Sequence, residues 1–148
     1  MILAHVVLGR NIKSAMENKR PKILTDAGYE IYCDTIKLRE LDLPVVDFVV
    51  DKLIWNFDLP FWEKDGTDDW NLTPWDVINK IDGSAGHQKR VEKADPQFPI
   101  LLLNKNNNWL IIDGVHRLVK VFQSEGKTIK AKIISADMVK KYEHYDIK

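Results

Sequence analysis

The sequence predicts an α+β domain. Three observations carry that prediction. Ile100-Leu101-Leu102-Leu103 and Trp109-Leu110-Ile111-Ile112 are two short apolar runs separated by the turn-forming Asn104-Lys105-Asn106-Asn107-Asn108, which reads as a strand pair. Val115, Leu118, Val119 and Phe122 then recur at i, i+3, i+4 and i+7, the spacing of an amphipathic helix that ends by Gly126. Finally Thr128–Ile134 is rich in β-formers and reads as a further strand. With 148 residues and 17.2 kDa the chain is expected to hold one domain, residues 29–148, preceded by an N-terminal arm, residues 1–28.

Met1–Leu8 is apolar but has no basic stretch ahead of it, unlike a secretory signal, and reads as a short strand or packed arm. The basic residues between Arg10 and Lys22 leave a targeting peptide as an alternative. Residues 29–38 alternate loosely and predict a strand. Asp42 then predicts a helix N-cap, with Pro44 in the first turn and Val45, Val46, Val49, Val50, Leu53 and Ile54 at helical spacing as far as Trp55. Residues 56–71 mix Phe57, Phe61, Trp62 and Trp70 with Asp58, Glu63, Asp65, Asp68 and Asp69, and suit either a lid over a substrate or a cluster packed beneath the loop. Thr73-Pro74-Trp75-Asp76 opens a helix in capping-box style. A further helix is expected from about His87 to Ala94, stopped by Pro96 and Pro99, and Ser135 caps a last one that runs to about Tyr142.

Composition narrows the function. A single cysteine, Cys33, excludes an internal disulfide framework and multi-cysteine zinc patterns, and fits a reducing, cytoplasmic setting. No apolar run is long enough for a membrane span. Basic and acidic side chains balance at 22 each, so the chain is not a polycation built to coat nucleic acid. The balance conceals a division: residues 1–24 carry net +4, residues 25–76 net −9 and residues 77–148 net +5. Either the basic half receives an anion or the two halves pair with each other.

The chemistry-bearing unit is Asp113-Gly114-Val115-His116-Arg117 between a strand and a helix. A glycine there lets backbone N–H groups approach a ligand, and the helix N-terminus favours a phosphate. Cations in a first turn gain nothing from the helix dipole, so His116 and Arg117 suggest an anion or a carboxylate partner. Arg117 can grip phosphate oxygens, His116 can donate a hydrogen bond or move a proton, and Asp113 can bind a metal ion, orient His116 or act as a base. The alternative is structural, with Asp113 capping the helix and pairing with Arg117 while His116 is a polar core residue.

The run from Pro99 through Asp113-Gly114-Val115-His116-Arg117-Leu118 to the closing strand Ile129–Ile134, with Asp34–Leu41 earlier, resembles the ParB/sulfiredoxin superfamily. The resemblance implies a ParB/sulfiredoxin-like small mixed sheet with flanking helices. It also implies a nucleotide, ATP or CTP, as a tri- or diphosphate with Mg2+, held for nucleotide hydrolysis or phosphoryl transfer. Asp113 and His116 would be catalytic. Gly114, Val115, His116 and Arg117, with His87 and Arg90 from the preceding helix, would bind the phosphates. Asp58 and Glu63 are alternative bases and Trp62 a lid candidate. No residue is assigned as a metal ligand. Val115 stands where sulfiredoxins carry a cysteine, and Cys33 is distant in sequence, so peroxiredoxin repair is not expected. Partition proteins add DNA-reading and dimerisation domains for which the residues after Ile134 leave no room, so a stand-alone module is expected. The competing readings are a DNA-binding or nuclease-like accessory protein, using Lys120, Lys127, Lys130 and Lys132, and an inactive ParB-fold interaction module.

Overall fold

The structure, a computed structural model, describes residues 20–143. Among these it forms an α+β fold, with six short α-helices around one four-stranded mixed sheet. The elements are α1 (Lys22–Asp26), α2 (Thr35–Arg39), β1 (Val46–Val49), α3 (Pro74–Ile78), α4 (Ala85–Lys93), β2 (Ile100–Lys105), β3 (Asn108–Asp113), α5 (Val115–Gln123), β4 (Thr128–Ile134) and α6 (Ala136–Lys141), with 3-10 turns at Val50–Lys52 and Ile54–Asp58. The expected strand or arm at Met1–Leu8 lies outside the described residues. The described part of the N-terminal segment packs into the core through Leu24, and the Arg20 Nη1 donates to the Tyr29 carbonyl at 2.7 Å.

The sheet order is β1-β4-β2-β3, with β2 and β4 parallel and the two outer pairings antiparallel. β2 is apolar along Ile100–Leu103 and buried there, as a central strand covered on both faces should be. The β2–β3 turn is tight because Asn106 and Asn107 both adopt positive φ, 53° and 67°, the left-handed conformation that asparagine tolerates best after glycine. The amide of Ile111, on an edge strand, donates to the Tyr29 hydroxyl at 2.6 Å. That hydroxyl donates in turn to Asn56 Oδ1 at 2.7 Å, so a buried polar group on the edge is satisfied.

Two expected elements are corrected. Residues 29–38 are not a strand. Tyr29 and Cys33 do point inward, as the alternation requires, but among the described residues the segment finds no ladder beyond a single bridge from Cys33 to Glu143. At Asp34 the side chain accepts from the Lys37 amide and starts α2 instead. The valine run after Asp42 is not a helix either. Val46–Val49 pairs with β4 from Ala131 to Thr128, because β-branched residues gain more from an open sheet edge than from a helix. The helical spacing beyond it survives only as the two 3-10 turns.

The other elements keep their local logic. Thr73 and Asp76 form the reciprocal capping box at the start of α3. Ser135 Oγ accepts from the Met138 amide to begin α6. In the 56–71 segment Phe57, Phe61 and Trp62 are almost fully buried, so these aromatics pack beneath the loop. Part of the acidic character has a structural use: Asp65 Oδ2 accepts from the Gly86 amide and serves the N-terminus of α4, whose Ser84 makes no side-chain cap bond. The two charge halves also meet directly, in the exposed pairs Lys105–Glu30 and Lys130–Asp47.

Candidate functional site

β3 runs into Gly114, and α5 begins at the next residue. Gly114 has φ +113° and ψ 22°, a conformation open to glycine but strained for other residues. As the N-cap residue, Gly114 gives this helix end no side-chain bond. The end opens onto a cleft of about 1120 Å³ bounded by α4, the 94–99 loop, α5 and the sheet. Among the described residues five cations line the cleft (Arg39, Arg90, Lys93, Arg117, Lys132) against two carboxylates, Asp95 and Asp113.

Asp113 is clamped between two guanidinium groups. Arg39 donates to both oxygens, from Nε at 2.7 Å and Nη2 at 2.9 Å, and Arg117 Nη2 donates to Oδ2 at 2.8 Å. Burial works to raise its pKa, but the Arg39 hydrogen bonds and the Arg117 charge outweigh it and hold the carboxyl below its usual range. The same pairing raises the Arg39 pKa. Arg117 Nη1 donates to the carbonyls of Phe98 and Pro99 at 3.0 and 2.9 Å. Three of its five N–H donors are thus committed within the fold, and Arg117 braces the 94–99 loop against α5.

His116 forms the second part of the site. Its Nε2 lies 2.9 Å from His87 Nδ1, and the two rings are within 4° of coplanar. Both lie flat on Trp62, at centroid distances of 4.4 and 4.6 Å. One proton bridges the two imidazoles in the plane of the pair, with the indole as their floor. Burial, the His87 ring and the charges of Arg90 and Arg117 push the His116 pKa down to about 3 against the opposing pull of Asp113, so it is neutral at physiological pH. The unfolded imidazole titrates near 6.5, so below that pH the unfolded chain binds a proton that the folded one does not. Stability should therefore fall as pH drops from about 6.5 toward 3, with a slope that approaches about 1.4 kcal/mol per pH unit between the two values. Denaturant unfolding of wild type and His116→Phe checks this: between pH 6.5 and 4.5 the wild type is expected to lose about 2 kcal/mol more than the variant.

Of the residues expected from sequence, Trp62, Arg90, Asp113, Gly114, Val115, His116 and Arg117 converge on the cleft. His87 stands behind His116, not on the cleft wall. Asp58 is exposed and Glu63 partly buried, and neither lines the cleft. Trp62 is a floor, not a cover. Cys33 is buried elsewhere, and burial pushes its thiol up to about 12, so it is no reactive substitute for the missing turn cysteine. Of the four lysines offered as a nucleic-acid track, Lys120 donates to the Glu92 and Ala94 carbonyls, Lys130 pairs with Asp47, and Lys132 donates to the Arg39 and Leu41 carbonyls.

Sequence reasoning missed Arg39, Lys93 and Phe98. Lys93 was within reach, being three residues after Arg90 and hence on the same helical face. Arg39 joins Asp113 across 74 positions and left no local signal.

The fold and site together define an α+β domain with a cationic cleft at a glycine-led helix N-terminus. No family model, curated protein or solved structure matches this chain. No helix among the described residues is long and apolar enough to cross a membrane.

Proposed function

We propose that the protein is a ParB/sulfiredoxin-like module that binds the phosphates of a nucleotide at the Asp113–Arg117 turn and hydrolyses the nucleotide or transfers its phosphoryl group. One observation carries the reading: the α5 N-terminus, to which its N-cap residue Gly114 gives no side-chain bond, opens on a cleft in which, among the described residues, cations outnumber carboxylates. The strand–glycine–helix order supports it, as does the parallel pairing of β2 with β4, which follow one another through β3 and α5.

The roles within the turn are redistributed relative to the sequence expectation. Arg117 and Arg39 fix Asp113, so Asp113 is a positioning residue and, with two guanidinium groups upon it, too weak a base to draw a proton from water. The same saturation makes Asp113 a poor Mg2+ ligand, and the acidic groups of the cleft do not fit an ion held by the chain alone. Arg90 and Lys93, exposed on α4, are the cations placed to meet phosphate oxygens beside the α5 amides. With the Nε2 of His116 engaged by His87, its Nδ1 is the free nitrogen, and it is unprotonated when Nε2 carries the bridging proton. An arriving anion raises its pKa, which makes it the group that accepts the proton of an attacking hydroxyl or water, with His87 holding its ring in place.

Calorimetric titration with ATP, ADP and CTP, with and without Mg2+, tests the reading. The wild type should bind, and Arg90→Ala/Lys93→Ala should lose about tenfold or more in affinity with little change in melting temperature. Absence of binding by the wild type, or equal binding by the double variant, would sink it.

A further inference from the structure

Phe98 stands out among the apolar side chains at the cleft. It lies on the wall, yet it is 64% exposed, more than any other large hydrophobic side chain described. Its backbone is nevertheless fixed. The Phe98 amide donates to the Asp95 carbonyl at 3.1 Å, the Gln97 amide donates to Asp95 Oδ1 at 3.0 Å, and Arg117 holds the Phe98 carbonyl at 3.0 Å. Pro96 and Pro99 flank the turn and limit its backbone further. A rigid loop thus presents an aromatic face to solvent, within the cleft that Arg90 and Lys93 make positive.

A lone exposed phenylalanine needs no explanation on an ordinary surface. Here two facts point to a ligand. Phe98 lines a concave site, and the loop that carries it is tied to the same arginine that pairs with Asp113 of the turn. Aromatic side chains held in place take up planar rings at little entropic cost, because few rotamers are lost on contact. A ligand that satisfies both the exposed ring and the neighbouring cations carries a planar aromatic group and an anionic group together.

We propose that Phe98 is the stacking platform for the base of the nucleotide, and that the site takes free nucleoside phosphates, not bare polyphosphate. This rests on the phosphate-binding reading above and extends it to the other end of the ligand. Stacking on phenylalanine is tolerant of base identity, since every base offers a flat face, so the site should accept purine and pyrimidine nucleotides with modest differences.

The test is a calorimetric comparison of ATP and inorganic tripolyphosphate on wild type, Phe98→Ala and Phe98→Trp. The wild type should bind ATP about tenfold tighter than tripolyphosphate. Phe98→Ala should lose about tenfold for ATP and nothing for tripolyphosphate, and Phe98→Trp should retain ATP affinity. If Phe98→Ala binds ATP as tightly as the wild type while tripolyphosphate still binds, the platform is wrong and the phosphate site stands. If the wild type binds neither ligand, the phosphate reading itself fails and takes the platform with it. A single-stranded ten-residue oligothymidylate provides the last arm. Binding of the oligomer but not of thymidine triphosphate, abolished in Phe98→Ala, would overturn the assignment to free nucleotides.

Discussion

Gly114→Ala is expected to destabilise the protein by about 3 kcal/mol or more, a fall in melting temperature of about 10 °C for a chain of this size. Two penalties combine. The backbone at φ +113° lies where an L side chain is strained, which costs about 1–2 kcal/mol. The added Cβ would also sit 2.3 Å from Ile100 Cγ2 and 2.8 Å from Ile100 Cβ. Ile100 is fully buried at the start of the central strand β2 and cannot yield without disturbing the core, so overpacking adds a similar amount. Gly66→Ala is the control. Gly66 also has positive φ, +78°, but nothing lies within 4 Å of its would-be Cβ, so only the backbone penalty of about 1 kcal/mol applies. Thermal unfolding followed by circular dichroism reads both variants. Equal losses would show that the close approach of Gly114 to Ile100 has no energetic weight.

Removing the carboxylate at 113 should be about as costly. Asp113→Ala leaves two guanidinium groups facing each other without their anion, and loss of one partner of a buried pair costs about 3 kcal/mol. The two arginines should not respond alike. The Arg39 side chain is 51% exposed and can turn into water, whereas that of Arg117 is 14% exposed and is held by the Phe98 and Pro99 carbonyls. Arg39→Ala is therefore expected to cost about 1 kcal/mol, an exposed pair being screened, and Arg117→Ala about as much as Asp113→Ala. Denaturant titrations at neutral pH measure all three. Indistinguishable effects of Arg39→Ala and Arg117→Ala would contradict the asymmetry. Because the folded carboxyl is held below its usual range, its contribution is complete above about pH 4 and fades as the pH falls further, below the span over which wild type and His116→Phe are compared.

Where neighbours in sequence settle the conformation, the residues reveal it. Thr128–Ile134 has the same limits in sequence pattern and structure, the Asn106-Asn107 turn joins the expected strand pair, and Val115, Leu118 and Val119 are buried on α5 as their spacing requires. The failures lie where the deciding partner is remote. The valines at 46 and 49 satisfy either a helix or a strand, and the free edge of β4, some eighty residues later, decides. Tyr29–Cys33 alternates like a strand but has no strand beside it among the described residues. The site divides in the same way. The Asp113–Arg117 turn is local and legible, and Arg90 follows from the helix before β2. The stack of His87, His116 and Trp62 joins residues as far as 54 positions apart, and no spacing rule would have paired Arg39 with Asp113.

The central claim is that an anion sits on the N-terminus of α5. The most direct measurement is a titration of inorganic tripolyphosphate followed by the backbone amide resonances of the 15N-labelled protein. Saturable shifts confined to the amides of Val115, His116 and Arg117, with smaller ones at Arg90 and Lys93, are expected. Shifts that scatter over the exposed lysines, or a spectrum that does not change, would contradict it.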